Sequence, residues 1–388
     1  MKLLYIDPQS AYNLAQYDYS LLSNVNAKIT YCCSVRYDAP QIADTDYRYV
    51  FGYAKYKWRI LKAFSYILSI LKVIAIVREI RPDVIHVQWW RLWFVDYMAL
   101  FFYKKYCGCV VFTVHNIMPH DSGIRYKKKC SDYYNKVDKL IVHVNQTKEQ
   151  LVKDFFLPIG KIFVVPHGLL NNNVDNSVVD SYEVELENKW NVKSKIVFSL
   201  LGYQSHYKGT DILKNVLEKS KLLQNNSHIL FIIAGKGDII TPKMMHGYNN
   251  VLVINNYIPS EQLEAIMRVT DVQLLPYRTI SQSGVLLSTI DKEIPYIATD
   301  VGGLSEPLSI ASIGWLISPD SIDELQSLLE SLSLCPKEIQ CKKNNHDGWK
   351  SVKKYYDWKD IGRKTMDCYR TVFTMIQLIL FPLVCLLY

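Results

Sequence analysis

Twice along this chain, short apolar runs rich in β-branched residues alternate with longer helical stretches, and that rhythm restricts the fold severely. In the first half the strand-like runs are Leu3–Ile6, Lys28–Tyr31, Val84–Val87, Val110–Val114, Lys139–Val142 and Ile162–Val165. Helical stretches over Val50–Arg81, Leu92–Tyr106 and Thr147–Phe155 lie between them. Short runs that are apolar throughout belong to strands covered on both faces, as in a parallel sheet clad in helices. The rhythm breaks at Asn171–Lys195, a polar stretch that reads as an interdomain linker. It restarts with strands at Ile196–Leu201, His228–Ala234, Val251–Ile254, Val272–Leu275, Tyr296–Thr299 and Gly314–Ile317. Helices at Asp211–Lys219, Ser260–Val269, Gly284–Asp291 and Ser321–Leu332 alternate with these. At 388 residues the chain exceeds what one hydrophobic core serves. The expectation is an α/β chain of two doubly wound, Rossmann-like domains, residues 1–170 and 196–345, joined by a linker at 171–195.

A hydrophobic share of 49% with 21% charged residues excludes a disordered or collagen-like class. Net charge is +8, but fourteen Lys/Arg against four acids fall between Phe51 and Cys130, so that window is +10 and the rest sums to −2. One surface of the first half therefore faces something anionic. Within it Tyr53, Tyr56, Trp58, Phe64 and Tyr66 interleave with Lys55, Lys57, Arg59 and Lys62, the mix of an interfacial segment meeting anionic lipid. A solvated helix with one buried apolar side would read the same way. Nucleic acid, the other anionic partner, has no recognition motif here and is not expected. The nine cysteines form no CxxC pair and no Cys/His run with zinc spacing. The opening run Leu3–Ile6 is stopped by Asp7-Pro8, so it reads as a strand and no export signal is expected; a reducing cytoplasm fits. Residues 372–388 are almost wholly apolar around Pro382, a tail that contacts a membrane, is buried in a partner, spans a bilayer, or packs on the protein itself.

Ligands of doubly wound sheets bind outside the carboxyl ends of the strands, so the loops there hold the candidates. Gly202–Gly209 places Lys208 just before a helix start, where a point charge adds to N–H groups that already favour anions; a solvated loop lysine would look alike. Gly235-Lys236-Gly237 lets a ligand approach the backbone, though it is no P-loop. Ser281–Val285 opens a helix with Ser side chains and Gly284, suiting a diphosphate; a plain Ser N-cap is the alternative. In the first half His115 leaves a strand end and is the candidate base or hydrogen-bonding group, with His120 five residues on. That spacing and the lack of a carboxylate motif argue against a metal.

Taken in order, "RPDVIHVQWW", "VVFTVHNIMPH", "VDKLIVHVNQTKEQL", "KIFVVPHG", "LGYQSHYKGTDIL", "FIIAGKGD", "NNYIPSEQLEAIMRVTDVQLLPY", "SQSGVLLSTIDKEIPYIATDVGGLSE" and "YYDWKDIGRKTMDCYRTVF" resemble glycosyltransferase family 4 across nearly the whole chain. That resemblance implies the GT-B fold, with two domains facing a cleft and a closing helix at 346–371 returning to the first domain. It implies a retaining transfer from a nucleotide-diphosphate sugar, without obligatory metal, to a lipid-linked or polysaccharide acceptor on a cytoplasmic membrane face. By the same resemblance His115 orients the donor sugar and Lys208 contacts the diphosphate. Gly202, Tyr203, Gly235, Lys236, Tyr257, Ile258, Gln282, Ser283, Gly284, Val285 and Ser288 line the donor site, and Gln88, Trp89 and His120 the acceptor side. The chain departs from the family pattern where Tyr203 replaces an Arg, and where Gln282 and Ser288 stand near two expected glutamates. Those departures leave a non-catalytic GT-B subunit of a glycan-assembly complex as the alternative.

Overall fold

The structure is a computed structural model that describes residues 1–118, 124–169 and 174–385, with side chains described for all of these except 124, 125 and 372–385. The chain divides into two compact units, Met1–Gly168 with Tyr356–Tyr388, and Leu169–Tyr355.

The first unit runs β1 (Lys2–Ile6), α1 (Asn13–Leu22), β2 (Lys28–Ser34), β3 (Asp46–Phe51), α2 (Arg59–Ile80), β4 (Val84–Val87) and α3 (Trp93–Tyr106). It continues with β5 (Cys109–Val114), α4 (Ile124–Lys136), β6 (Lys139–Val142), α5 (Asn145–Phe155) and β7 (Ile162–Val164). Its seven strands are all parallel, in the order β3-β2-β1-β4-β5-β6-β7. The two-residue period of a strand sorts the side chains. Leu4, Ile6, Ile85, Val110 and Phe112 pack under α2, α3 and α4 against Ile70, Leu100 and Tyr133. Leu3, Tyr5, Val84 and Val111 go to the other side and meet Tyr17 and Leu21 of α1.

The second unit runs α6 (Asn176–Trp190), β8 (Ile196–Leu201), α7 (Thr210–Lys219), α8 (Lys221–Gln224), β9 (Ile229–Ala234), β10 (Val251–Ile254), α9 (Ser260–Val269) and β11 (Val272–Leu275). After them come α10 (Gly284–Asp291), β12 (Tyr296–Thr299), α11 (Glu306–Ile310), β13 (Gly314–Ile317), α12 (Ile322–Leu334), α13 (Lys337–Lys343) and α14 (His346–Tyr355). Its six strands are also parallel, in the order β10-β9-β8-β11-β12-β13. Phe198, Phe231 and Leu274 pack on α7 and α12, and Leu230 and Ile232 on α6 and α9.

Three expectations need correction. The polar stretch 171–195 holds α6, capped by the Asp175 carboxylate accepting from Ser177 N at 2.9 Å and ended by Asn191 in the left-handed region. Its outward face supplies the polarity that reads as a linker, while Val179 and Leu186 are buried. Arg268 of α9 donates to Asp180, Glu183 and Asn176, tying α6 to the second unit. The span 346–371 is two helices: α14 stays with the second unit, and α15 (Trp358–Cys385) belongs to the first. There Ile361, Met366 and Tyr369 join the core beside α1. Finally, the run read as helix from Val50 begins inside β3, and the helix starts only at Arg59.

A helix held this way resists proteolysis, unlike a linker. Trypsin is expected to cut slowly after Lys189 in the native chain. Arg268→Ala, which removes about 1 kcal/mol of exposed ion pairing, should raise that rate about fivefold, read by the time course of the Lys189 fragment.

Candidate functional site

At the carboxyl edge of the first sheet, β4, β5, β6 and β7 deliver His86 and Gln88, His115, His143 and His167 side by side. Tyr369 Oη lies 2.6 Å from His86 Nδ1, and His86 Nε2 lies 2.7 Å from Thr113 Oγ1. One arm of the Gln88 amide lies 3.0 Å from His86 Nε2, and the other 2.8 Å from His115 Nε2. His115 Nδ1 lies 3.2 Å from His143 Nε2, whose Nδ1 is 2.9 Å from the Val165 carbonyl.

Protons can be placed along this chain from its fixed end. A carbonyl only accepts, so His143 Nδ1 carries the proton that bonds Val165. Burial favours the neutral ring everywhere: it lowers His86 to about 3, His143 to about 4 and His167 to about 3, and takes His115 well below its ordinary value. Neutral His143 then accepts at Nε2 from His115 Nδ1–H. His115 Nε2 can then only accept, whereas the Gln88 Oε1 is the arm placed at 2.8 Å from it. Because the two arms of an amide are alike in shape, we assign the side chain turned over, with NH2 toward His115 and oxygen toward Thr113 and His86. Tyr369 donates to His86. Every ring nitrogen in the chain from His86 to His143 thus has a partner.

His115 is accordingly no free base. Both its nitrogens are engaged, and Trp89 stacks on its ring at 4.3 Å with planes 8° apart. Gln88 is a buried link in the relay, while Trp89 borders a cavity of about 380 Å³ with Trp90, Arg91, Tyr126 and Tyr134. The indole N–H of Trp89 is buried with no partner among the described residues, a donor left for a ligand. His120 lies outside the described residues.

The second unit's carboxyl edge is built on close backbone approach. Gly235 has φ +148° and a Cβ there would stand 2.0 Å from the Gly202 carbonyl oxygen, so the exits of β8 and β9 touch main chain to main chain. Gly209, at φ +68°, brings the Lys208 turn equally close to the Pro276 carbonyl after β11. Buried Gln204 accepts from Ile240 N at 2.8 Å and donates to its carbonyl at 2.9 Å, fixing the loop from beneath. Arg278 clamps it from outside: its guanidinium reaches both Asp211 carboxylate oxygens at 2.7 and 2.8 Å, the His206 carbonyl at 2.5 Å, and Asp320. Although burial works the other way, that pairing holds the Asp211 carboxyl below its usual range.

Lys208 is the cation this frame presents. Its ammonium sits beside Gly202, where an added Cβ would be 2.5 Å away, and 5.6 Å from the centre of the Tyr277 ring. Burial lowers its pKa, and no carboxylate pairs with it among the described residues. At the start of α10 the Ser283 hydroxyl accepts from Leu286 N at 3.3 Å, leaving the N–H groups of exposed Gly284 and half-buried Val285 as helix-end donors. Gln282 Oε1 and Ser205 Oγ are buried without partners among the described residues. Tyr203, Lys236 and Tyr257 are exposed at the rim, Ile258 is half-buried, and Ser288 is buried one turn into α10. Among the described residues no group of three or more His, Cys, Asp or Glu side chains gathers as for a metal. Sequence reasoning missed His86, His143, Gln204 and Arg278; single residues on separate strands and loops carry no local pattern.

Two parallel-sheet α/β units, each with its chemistry at the carboxyl edge, define the GT-B class. Solved structures share the fold. Sucrose-phosphate synthase from Thermosynechococcus elongatus has TM-score 0.68 and 14% identity, covering 97% of this chain and 100% of that one. HepE from Anabaena in complex with UDP has the same score and identity, covering 96% and 100%. Residues 28–169 match the model described as Glycosyltransferase Family 4 and residues 194–333 that of Glycosyl transferases group 1, so the chain belongs to the family-4 type of GT-B glycosyltransferases. Among curated proteins it is 22% identical over 273 residues to the GPI3 subunit of phosphatidylinositol N-acetylglucosaminyltransferase from Saccharomyces cerevisiae, matching 68% of this chain and 57% of that protein. The chain thus spans less than two thirds of that relative's length.

The proton placement has a direct check. In nitrogen-15 spectra of labelled protein, the rings of His86, His115, His143 and His167 should stay neutral through the range where a free imidazole titrates, with His143 half charged only at about pH 4. Titration of these rings near their unfolded value would contradict it.

Proposed function

We propose that this chain is a retaining glycosyltransferase that takes a sugar from a nucleotide-diphosphate donor and passes it to a lipid-linked or polysaccharide acceptor. The observation that carries the reading is Lys208, a half-buried cation without a counter-ion among the described residues, in a family-4 chain. In such a transfer the bond from the anomeric carbon to the diphosphate oxygen breaks, one to an acceptor hydroxyl oxygen forms, and the hydroxyl proton passes to the departing diphosphate oxygen. Negative charge grows on the departing diphosphate, and a fixed cation with helix-end N–H groups stabilises it by several kcal/mol. The Lys208 ammonium and the α10 start suit that task, with Gln282 Oε1 and Ser205 Oγ open to sugar hydroxyls and Tyr203 or Tyr257 to a base. The neutral, doubly bonded His115 serves as a fixed wall that orients a ligand beside Trp89. No obligatory metal enters this scheme. HepE, solved with UDP-glucose, favours a UDP-linked donor, and the phosphatidylinositol-directed relative favours a lipid acceptor. We place the protein in the cytoplasm, peripheral on the inner face of the plasma membrane and working on cell-surface glycan.

A second reading, a non-catalytic subunit of a glycan-assembly complex, is favoured by Tyr203 in place of an Arg and by the non-acidic Gln282 and Ser288.

Calorimetry against UDP-, GDP- and dTDP-sugars tests the donor site. One of them should bind, and Lys208→Ala should weaken it about thirtyfold, the loss of about 2 kcal/mol from one charged hydrogen bond, with the melting temperature unchanged. Failure of every nucleotide sugar to bind or be turned over with membrane extract would overturn the proposal. Unaltered glycan in cells carrying Lys208→Ala would favour the second reading.

A further inference from the structure

The α2 and α3 helices lie side by side on one face of the first sheet, joined by the Tyr66 hydroxyl donating to Asp96 at 2.7 Å. Their inward faces are spent on the core: Tyr66, Ile70, Val73 and Val77 on α2, Ala99, Leu100 and Tyr103 on α3. The outward faces ought then to be polar. They are not. Ile60, Phe64, Ile67 and Leu71 recur at i, i+4, i+7 and i+11, with Ile60 82%, Phe64 59% and Leu71 56% exposed. Phe94, Met98 and Phe101 repeat the same spacing on α3, with Phe94 67% exposed. Apolar stripes on neighbouring helices make a patch of the kind that monomeric surfaces avoid.

Charge says what covers it. Lys57, Arg59 and Lys62 stand at the α2 end of the patch. On the α4 side Lys136 sits 3.7 Å over the Phe101 ring and Lys129 lies 5.7 Å from that of Trp93. The surrounding window carries a net +10. Apolar side chains rimmed by lysines match a bilayer with anionic headgroups, the chains entering the acyl boundary and the ammonium groups staying at the phosphates. By length and composition α2 could cross a membrane. Its other face is buried on the sheet, so a spanning position would tear the core open.

We propose that the joint outward face of α2 and α3 is the surface on which this chain lies against an anionic lipid bilayer, the helices parallel to the membrane plane. This extends the reading of a membrane-borne acceptor. The patch ends where α3 begins, next to Trp90 and Arg91 of the cavity, so an acceptor head could be met at headgroup depth.

Flotation of the full chain with vesicles of phosphatidylcholine alone, and of phosphatidylcholine mixed with phosphatidylglycerol, tests the proposal. The chain should float with the mixed vesicles and much less with the neutral ones. Phe64→Asn and Phe94→Asn, at exposed positions, should each lower partitioning at least tenfold with circular dichroism unchanged. Lys57→Gln and Lys62→Gln should each lower it about fivefold at low salt. Three outcomes overturn the proposal: no flotation with anionic vesicles, flotation that ignores the Phe substitutions, or a dimer in sedimentation velocity that Phe64→Asn disperses. The last would make the face an interface between copies. Nucleotide-sugar binding by these variants should match the parent chain. Vesicle binding without donor binding would keep this inference and remove the functional one.

Discussion

The bond between Tyr369 and His86 is the one on which the first unit's order depends. It joins the last helix to the middle of the sheet, and it does so deep inside, where a polar group without a partner costs about 1–3 kcal/mol. Once Tyr369 donates to His86, the remaining donors and acceptors have one consistent arrangement through Thr113, Gln88, His115 and His143 to the Val165 carbonyl. A single orientation propagates from α15 to the end of β7. Rotating one ring would strand its neighbour, so the strand ends behave as one piece.

The second unit handles its polar groups in the opposite way. Gln204 and Arg278 spend their hydrogen bonds on holding loops, and glycines let main chain meet main chain at Gly202, Gly209 and Gly235. What that frame presents has no partner among the described residues: the Lys208 ammonium, the Gln282 and Ser205 oxygens, and the first N–H groups of α10. Proteins rarely leave such groups unpaired without a ligand to complete them. A satisfied histidine chain in one unit, with the Trp89 N–H open beside it, and several unfilled groups in the other divide the labour between a rigid wall and a binding edge.

The strands were legible because parallel, doubly covered strands must be largely apolar on both faces, and most positions in the runs from Val84–Val87 to Gly314–Ile317 were, His86, Lys139 and Gln273 being exceptions. β3 was not, since its edge position tolerates Asp46, Tyr47 and Arg48 and blurs it into the next helix. Helix α6 was hidden by its solvated face. In the site, Gly202, Lys208 and Ser281–Val285 stood out because strand end, glycine and helix start are adjacent in sequence. Arg278 was invisible, because its partner Asp211 lies 67 residues away. The partners of His115 were hidden for the same reason: its nitrogens are claimed by Gln88 and His143, 27 and 28 residues away.

The return of α15 to the first unit makes the second unit, in effect, an insertion within the first. On the ribosome the strands β1 to β7 emerge long before Ile361, Met366 and Tyr369, which cover Leu3, Val84 and Val111. During that interval the second unit, whose elements are contiguous in sequence, can fold alone, while one side of the first sheet has α1 on it but still lacks α15. Until α15 is made, the nascent chain therefore carries a half-covered apolar sheet face, the kind of transient surface on which aggregation and chaperones act.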